Sequence, residues 1–544
     1  MPIRARSGWR ACSAAPRRFA ALAAALALAG CGSHETGPES ATQRLFARGV
    51  EQITDLYIEP VSSQTLVFVG AKNLAKLDPR LTANYGGGEV GRDHVTLNFD
   101  GIAVTNYYVP RDVDPQQAGE IVAGLIAAAK RASPHVAALP EETIERAVFE
   151  AMTGILDRFS HYAPPEEARD QRAARDGFGG IGVTLDTANN DFAISEISER
   201  GPAQRAGIRI GDKIVAIDGT PVAGHRPSEV IHLLRGPIGS AVRLTIARAG
   251  VPGTRDIRLE RELVIVPTVT ETRDGNILVF RIASFNQSTT QRVAEGIAEA
   301  QRAGGGQLAG IVLDLRGDPG GLLDQAVTLS DLFIAKGPII ATIGRHPASH
   351  QYFAATGHSV APTTPLVVLI NGGSASASEI VAAALQDAGR AVVIGSASYG
   401  KGTVQTVMRL PNDGELTITW ARLVTPSGYF LQQHGVVPTL CTDGLGSGDG
   451  ALNAALQRMA TPAAEASRPR ASLDEAGWTA LRQACPAEQG SPPVDLKLAE
   501  RVLSDPARYS AALGAIHPAA ALAPEQPAAL TAAGPGLSSK PRLP

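Results

Sequence analysis

Residues 366–405 read LVVLINGGSASASEIVAAALQDAGRAVVIGSASYGKGTVQ and contain two short apolar runs on either side of a helical pattern. The first run, 366–370, is too short for an ordinary helix and is apolar on both faces, which predicts a strand buried from two sides. Apolar residues then recur at helical spacing, and Gly389 is placed to end that helix. The second run, 392–394, predicts the next buried strand. The segment therefore predicts a strand–helix–strand unit.

Reactive side chains stand at the corners of this unit. A serine at the helix start lies near free backbone N–H groups and the positive end of the helix dipole. Lys401 follows the second strand, and Gln405 would share its face and orient it if this part of the chain is extended. Such a pair is a nucleophile and a base if burial lowers the lysine pKa by several units from about 10.4. The alternative is that Ser374, Ser376 and Ser378 only cap the helix, with the lysine a solvated charge.

The run SASASEIVAAALQDAGRAVVIGSASYGKGTVQ, which begins at Ser374, resembles the catalytic block of the carboxyl-terminal processing proteases, also called tail-specific proteases. Members of that family use a Ser-Lys dyad with a supporting Gln. The resemblance implies that Ser376 is the nucleophile, Lys401 the general base and Gln405 the supporting residue. It also decides among the three serines, which periodicity does not. A dyad of this kind requires no metal and no organic cofactor.

Composition limits the class of protein. The chain has 544 residues, enough for two to four domains, and a formal net charge of −3 with 19% charged residues. No basic face emerges, which argues against a nucleic-acid partner. The 57 Gly and 37 Pro, with Ala-rich ends, indicate ordered domains between loose tails.

The N-terminus has the pattern of an export signal. An arginine-rich stretch precedes an apolar run, 19–29, that is shorter than the roughly 20 residues needed to span a bilayer. Leu28-Ala29-Gly30-Cys31 resembles a bacterial lipobox, which implies lipidation at Cys31. Gly32 favours the outer membrane if the host is Gram-negative. The alternative is an ordinary signal peptide in which Cys31 is incidental.

Two further cysteines, Cys441 and Cys485, stand near the end of the ordered sequence. In an oxidising periplasm they would form a disulfide that pins the C-terminal segment. Because sequence separation does not give distance, a disulfide and two free thiols both remain open.

The region from 42 to 170 predicts a helical N-terminal module with a hairpin inserted. Alternating apolar residues flank Asp100-Gly101, a hairpin turn signal. Helical patterns cover 113–131 and 141–159. LDRFSHYAPP, which begins at Leu156, resembles the family's LDPHSxYL element, with Arg158 in place of Pro and Ala163 in place of the last Leu.

The region from 175 to 262 resembles a PDZ domain. It opens with GFGGIGV at Gly177 and continues with GPA, GDKI, IDG and LLRG. PDZ domains add a peptide strand to a sheet edge and hold its terminal carboxylate in a backbone nest. The resemblance implies that Gly180, Ile181 and Gly182 bind the carboxylate, and that Arg235 couples peptide occupancy to protease activation. The alternative for Arg235 is a surface salt bridge worth at most about 1 kcal/mol.

A second strand-to-helix corner is predicted at Leu315-Arg316-Gly317-Asp318-Pro319-Gly320-Gly321. Together with the preceding Leu313-Asp314, this run resembles the family's LDLRxNPGG, with Asp318 in place of Asn. Glycines at a helix start expose backbone N–H groups, so Gly320 or Gly321, with the amide of Ala377, is expected to stabilise an oxyanion. The alternative is a tight turn or helix cap.

The predicted fold class is multidomain α/β, with the helical module, the PDZ domain, an α/β protease core of mostly parallel strands, and a disordered C-terminal tail. The family resemblance implies that this core is crotonase-like. The predicted boundaries are a signal peptide (1–30), a tether (31–41), the helical module (42–170), the PDZ domain (175–262), the protease core (263–443), a C-terminal extension (444–515) and the tail (516–544).

The predicted function is a lipid-anchored periplasmic serine endopeptidase that binds protein C-terminal tails and cleaves near them. One alternative is a Ser-His relay, since His346, His350, His358 and His434 lie in the same domain. Another is an inactive PDZ lipoprotein adaptor, although such proteins usually lose a dyad member. The sequence leaves open whether the chain forms a homo-oligomer or acts with an adaptor partner.

Overall fold

The computed structural model describes residues 39–86, 93–187, 191–303, 308–446 and 470–514, together with 448, 450, 452–454 and 456. The predicted signal peptide, the lipidation site Cys31 and the tail from 516 lie outside these residues. None of the described helices is both long and apolar enough to cross a bilayer.

The N-terminal module is mainly helical. Its helices are α1 (Ala41–Leu56), α2 (Ser63–Ala75), α3 (Pro115–Ala132), α4 (Pro134–Ala138), α5 (Glu141–Gly154) and α6 (Pro165–Asp176). Its strands are β1 (Leu81–Tyr85), β2 (His94–Phe99), β3 (Ile102–Tyr108) and β4 (His161–Ala163). The predicted hairpin is confirmed, because β2 and β3 pair antiparallel around Asp100-Gly101. The helix predicted to reach Phe159 ends earlier, and Asp157 then accepts hydrogen bonds from the backbone of Phe159 and Ser160.

The PDZ region forms its own sheet around a separate apolar core. Its strands are β5 (Phe178–Gly180), β6 (Val183–Asp186), β7 (Ala193–Ile197), β8 (Lys213–Ile217), β9 (Thr220–Pro221), β10 (Ala241–Ala247), β11 (Thr254–Glu260) and β12 (Glu262–Val264). Its helices are α7 (Pro202–Arg205) and α8 (Pro227–Leu234). The strand order is β11-β10-β8-β7-β6, so β6 lies at an edge among the described strands.

The protease core contains two sheets. Its strands are β13 (Val269–Asp274), β14 (Ile277–Ile282), β15 (Gly310–Asp314), β16 (Pro338–Gly344), β17 (Gln351–Ala354), β18 (Leu366–Ile370), β19 (Val392–Gly395), β20 (Thr403–Arg409), β21 (Glu415–Val424) and β22 (Leu440–Cys441). Its helices are α9 (Thr289–Ala303), α10 (Leu323–Asp331) and α11 (Ala377–Asp387). The main sheet has the order β13-β14-β15-β18-β19-β22 and is parallel from β14 onward, as predicted.

The smaller sheet, β17-β16-β21-β20, joins the core to the N-terminal module. Strand β4 pairs with β21, and Arg172 and Arg175 of α6 both contact the carboxylate of Glu415, which is 2% exposed. Arg345 donates to the carbonyl oxygens of Thr54, Asp55 and Tyr57 at the C-terminal end of α1. The module is therefore held against the core by a strand pair, buried ion pairs and backbone contacts.

The C-terminal extension covers the second face of the parallel sheet. Its described helices are α12 (Glu475–Ala484), α13 (Pro493–Leu503) and α14 (Pro506–Gly514). Helices α9 to α11 cover the other face. Val494, Leu498 and Val502 pack with the sheet side chains of Val367 and Ile394, which are 0% exposed. Each such buried side chain contributes about 1.5–3 kcal/mol, so the extension is part of the core.

A disulfide ties this extension to the sheet. Cys441 at the end of β22 bonds to Cys485 after α12, with the two Cα atoms 5.8 Å apart. Of the two alternatives left open by the sequence, the disulfide is the one found. It closes a separation of 44 residues, and Cys485 is 3% exposed. Cys485, just past the middle of the extension, is thereby fixed beside the carboxyl ends of β19 and β22.

Candidate active site

Two adjacent parallel strands end at the candidate site. Strand β18 leads to Ser376 and helix α11, and its neighbour β19 leads through a loop to Lys401. Because parallel neighbours end at the same edge of a sheet, their following loops meet. The backbone N–H of Tyr399 in the second loop donates to the oxygen of Ser374 in the first, at 3.0 Å.

Ser376 occupies a sharp turn at the start of α11. Its φ of 57° lies in the left-handed region, which few non-glycine residues adopt. Such strain persists only where the surroundings impose it, and it is concentrated at functional sites. The backbone N–H of Ala377, the first residue of α11, has no acceptor within the described residues. The turn therefore presents a hydroxyl beside an available backbone donor.

Glu379 joins the turn that contains Ser376 to the loop that leads to Lys401. One carboxylate oxygen, Oε2, accepts from the backbone N–H of Ser376 at 2.8 Å and of Lys401 at 2.9 Å, which keeps these nitrogens within about 6 Å of each other. The other oxygen accepts from the Gly400 N–H, at 2.7 Å, and from the Ser398 hydroxyl. Glu379 is 0% exposed, so burial raises its pKa while these four donors lower it.

Sequence reasoning missed Glu379, although a signal was present. Ser376 and Glu379 have the spacing of a capping box, in which the third helical residue accepts from the backbone of the residue before the helix. The pattern does not reveal that the same carboxylate also reaches a loop that follows another strand.

Lys401 lies in a mostly apolar setting. Its Nζ is 4.9 Å from the centre of the Phe159 ring. Burial lowers the pKa of Lys401, while the nearby carboxylates of Glu379 and Asp157 oppose the shift. The direction is the one that a lysine base needs. Among the described residues, no hydrogen bond joins Lys401 Nζ to Ser376 Oγ; this contact tightens in many enzymes only when substrate binds.

The predicted contact between Lys401 and Gln405 is not formed. The strand begins at Thr403, and the register shifts between Val404 and Gln405, so the expected two-residue alternation from Lys401 does not hold. Gln405 Nε2 instead donates to the hydroxyls of Thr403 at 2.9 Å and Thr419 at 3.1 Å. The supporting role of Gln405 remains a prediction.

The strand-to-helix turn after β15, which contains Gly320, packs against the turn that contains Ser376. A β-carbon on Gly320 would lie 2.8 Å from the nitrogen of Ala377, so the two loops touch. The Gly320 N–H donates to Asp318 Oδ1 at 2.8 Å, whereas the N–H of Gly321 has no acceptor within the described residues. Of the three predicted oxyanion donors, Ala377 and Gly321 are therefore available as they stand.

The LDRFSHYAPP element approaches the same site from the N-terminal module. Phe159 stands where the LDPHSxYL pattern has His, a third departure besides Arg158 and Ala163. Ser160 Oγ accepts from the backbone N–H of Thr419 at 3.1 Å, which fixes the element to β21. The element thus supplies the aromatic wall beside Lys401.

The predicted peptide-binding residues lie at the start of the PDZ sheet. Gly180 pairs with Glu262 of β12, and Gly182 has a φ of 73° immediately before the edge strand β6. The Ile181 side chain is 2% exposed and belongs to the PDZ core, so a peptide could meet only its backbone. Arg235 ends α8, contacts Asp170 of α6 at 2.8 Å and stacks over the ring of Phe178.

The four histidines of the alternative relay contact other groups. His346 lies 3.9 Å from Asp55, His350 bonds to the Gly344 oxygen, and His434 bonds to the Phe430 oxygen and stacks on a tryptophan. His358 bonds to a nearby threonine. None bonds to Ser376 in the described chain. Nor does that part contain a group of three His, Cys, Asp or Glu side chains suited to a metal.

Comparison with known proteins shows the family of this chain. A family model described as Peptidase family S41 matches residues 276–441, and one described as a PDZ domain matches residues 194–248. The carboxy-terminal-processing protease of Bartonella bacilliformis is 40% identical over 305 residues, which cover 56% of this chain and 70% of that protein. The chain belongs to the carboxy-terminal processing proteases.

Other members of this serine-type peptidase family are similar to the chain. The carboxy-terminal processing protease CtpA of Bacillus subtilis is 34% identical over 300 residues, covering 55% of this chain and 63% of that protein. A solved photosystem II D1 C-terminal processing protease is 31% identical and covers 57% of this chain and 88% of its own, with a TM-score of 0.33. The chain thus spans about two thirds of the curated relatives it matches.

The C-terminal extension, which lies beyond the peptidase match, braces the protease loop that carries Ser376. The Glu488 oxygen accepts from the Gly372 N–H at 2.6 Å. Asn371 Nδ2 donates to the oxygens of Gln489 at 3.1 Å and Gly490 at 2.7 Å. The segment 488–490 therefore holds the turn between β18 and Ser376.

Phe159→Ala is expected to move the acidic limb of the pH profile of kcat/KM to higher pH. Burial is the main cause of the lowered pKa of Lys401, and the cation–π contact with the Phe159 ring, worth about 0.5–2 kcal/mol, opposes it only in part. Admitting water should therefore raise the pKa of Lys401, and the neutral base should form at higher pH. Phe159→Leu, which keeps an apolar wall, is the control. If the acidic limb stays in place or moves to lower pH in the alanine variant, Phe159 does not lower the pKa of Lys401 by excluding water.

Proposed function

We propose that this chain is a serine endopeptidase that holds the C-terminal tail of a substrate in its PDZ domain and cleaves near that end with Ser376 and Lys401. The main support is the arrangement around Glu379, whose one oxygen binds the backbone of both residues. A strained serine at a helix start and a lysine with a lowered pKa are thereby brought to adjacent strand ends.

In this mechanism Ser376 Oγ attacks the peptide carbonyl carbon while neutral Lys401 accepts the hydroxyl proton. The bond to the leaving amine then breaks, and Lys401 returns the proton to that amine. Water then attacks the carbonyl carbon of the acyl-enzyme while neutral Lys401 accepts a proton from it. The ester bond to Ser376 Oγ breaks, and Lys401 returns the proton to that oxygen. The lysine amine must first turn from the Phe159 ring toward Ser376, a movement that its flexible four-carbon stem permits.

The oxyanion of the tetrahedral intermediate would lie near the N–H groups of Ala377 and Gly321. Both donors are without acceptors in the described chain and belong to corners that touch. Fixed donors that need no reorganisation are the largest single source of stabilisation in acyl transfer, and one of them is typically worth roughly 2.7–4 kcal/mol.

Tail binding is supported by the exposed edge of the PDZ sheet. Strand β6 is an edge strand and follows Gly182 directly, so an extended peptide could add to it with its carboxylate near the glycine turn. Arg235 connects the end of α8, which flanks such a groove in PDZ domains, to Asp170 of the N-terminal module. This link is a route by which tail binding would reach the protease core.

Localisation follows from the N-terminal sequence. We propose export to the periplasm and lipid anchoring through Cys31, with the outer membrane favoured. The Cys441–Cys485 disulfide supports an oxidising compartment. In this setting the substrates are exported or membrane-associated proteins with accessible C-terminal tails, and an adaptor or a second copy of the chain could present them.

A folded reporter with an unstructured apolar tail tests the proposal. The full chain is expected to cleave the reporter with a free tail carboxylate at a KM at least about tenfold lower than the same reporter with an amidated terminus, because the backbone nest binds a carboxylate. Equal KM values would refute tail recognition but leave proteolysis. Binding without any cleavage would favour the inactive adaptor.

A further inference from the structure

Asp318 is the residue at which this chain departs from the LDLRxNPGG pattern, and it lies beside the candidate nucleophile. Its side chain is fully buried, with 0% exposure. Its backbone oxygen accepts hydrogen bonds from the Ala375 N–H and from the Ser378 hydroxyl, each at 2.9 Å. Asp318 is therefore attached to residues on both sides of Ser376.

The Asp318 carboxyl also holds the backbone that faces the nucleophile. Its Oδ1 accepts from the Gly320 N–H at 2.8 Å. A β-carbon on Gly320 would lie 2.8 Å from the Ala377 nitrogen and 2.9 Å from Ser376 Cβ. The glycine bonded to Asp318 is thus in contact with the turn where the oxyanion would develop. The position of the Gly320 backbone beside Ser376 therefore depends on the Asp318 side chain.

The second oxygen of Asp318 has no partner. Oδ2 is buried and makes no hydrogen bond within the described residues. A buried ionised carboxylate normally receives several donors or a cation, and its absence of partners favours the neutral acid. Burial accordingly raises the pKa of Asp318 to about 7, against the lowering effects of the Gly320 N–H, the Ser378 hydroxyl and the Arg281 cation.

The charged side chains around Asp318 form ion pairs or hydrogen bonds with groups other than its carboxyl. Arg281 on β14 is the cation that stabilises its ionised form, but the guanidinium lies 2.9 Å from Asp314. Arg316, on the same loop as Asp318, pairs with Asp314 and with Asp495 of α13. Helix α11 carries two acidic residues. Glu379, in its first turn, accepts four hydrogen bonds at the dyad, and Asp387, at its other end, accepts from the Ser427 N–H.

We propose that Asp318 is a positioning residue whose neutral form keeps the oxyanion hole competent, and that its ionisation slows cleavage. The inference rests on the proposed function, because it concerns the same site. As a neutral acid, Asp318 accepts the Gly320 N–H without carrying charge, as the side-chain oxygen of an Asn at this position would. As a carboxylate, it places a negative charge close to a developing oxyanion, and their repulsion in this buried site raises the barrier.

The sign of the pH effect separates Asp318 from Lys401. Lys401 acts as a base when it is neutral, so its titration makes the rate rise with pH. Asp318 supports the oxyanion hole when it is protonated, so its titration makes the rate fall with pH. Substituting Asn at position 318 removes the second titration and leaves the first.

The test is the ratio of kcat for the wild-type full chain to kcat for Asp318→Asn, measured on the tail reporter from pH 5 to pH 9. The contribution of Lys401 cancels in this ratio. We expect a constant ratio below about pH 6 and a fall of about tenfold per pH unit above about pH 7. KM should change little, because the tail is held in the PDZ domain. Thermal unfolding at each pH shows whether both proteins are folded.

Arg281→Gln provides a second variant that does not alter the buried site itself. Its cation lowers the pKa of Asp318, so its loss should move the falling limb of the wild-type profile to higher pH. This also keeps the test available if Asp318→Asn does not fold. A structural role of Arg281 alone would change the height of the profile and not its position.

A ratio that is independent of pH, or an Arg281→Gln profile with an unmoved falling limb, would overturn the proposal for Asp318. Failure of the proposed function looks different, because the wild-type chain would then cleave no reporter at any pH.

Discussion

Replacement of Ser376 by Ala or of Lys401 by Met is expected to lower kcat by about 10⁴- to 10⁶-fold, with peptide affinity unchanged. In the proposed mechanism Ser376 supplies the attacking oxygen and Lys401 moves its proton, so either loss stops the same step. Residues that act as a unit show strongly non-additive effects, and the double variant should be no slower than the worse single variant. Methionine keeps the length and apolar stem of lysine without the amine. Cleavage of the tail reporter measures the loss.

Binding supplies the control for these variants. Fluorescence titration with a free tail peptide should give the same Kd for the wild type, Ser376→Ala and Lys401→Met, because the PDZ domain is untouched. A fluorophosphonate should label the wild type and fail to label Ser376→Ala. Turnover of the Lys401→Met variant within about tenfold of the wild type would exclude Lys401 as the base.

Glu379→Ala is expected to have the second-largest effect, on stability as well as on rate. The change leaves the backbone N–H groups of Ser376, Gly400 and Lys401 and the hydroxyl of Ser398 without their acceptor. Each buried unsatisfied donor costs about 1–3 kcal/mol, so a loss of about 3 kcal/mol or more in the free energy of unfolding is expected. Since a misplacement of about 1 Å costs roughly 100-fold, kcat should fall by at least that factor.

Two further variants separate the two effects of Glu379. Glu379→Gln retains one oxygen acceptor and the volume, so it should be more stable than the alanine variant and still slower than the wild type. Glu415→Gln alters another buried carboxylate of the core, one that binds Arg172 and Arg175 and not the dyad. Urea denaturation and reporter cleavage should show a stability loss in both proteins. A fall in kcat as large for Glu415→Gln as for Glu379→Gln would mean that Glu379 has no positioning role.

Local sequence patterns were sufficient for the main elements of the core. The apolar run 366–370 is a strand buried on both faces, and the helix that follows ends at Asp387, two residues before Gly389. The alternation around Asp100-Gly101 gives the hairpin. These features depend on side chains a few residues apart, which a sequence displays directly.

The contacts between distant parts of the chain were not predictable in the same way. The register shift beside Gln405 moved its side chain to Thr419, on a neighbouring strand. The ring of Phe159 reaches Lys401 from another module. Glu379 was hidden because a capping residue looks the same whether or not it binds a second loop. Only the resemblance to a family distinguished Ser376 from the serines on either side.

The extension after Cys441 has a practical consequence for anyone who trims this protein. A protein truncated where the peptidase match ends, at residue 441, would expose one apolar face of the parallel sheet to water. It would also lack residues 488–490, which hold the turn before Ser376. Such a fragment should aggregate and have low activity, although it retains every proposed catalytic residue. Truncations at the C-terminus should therefore keep the chain at least to Gly514.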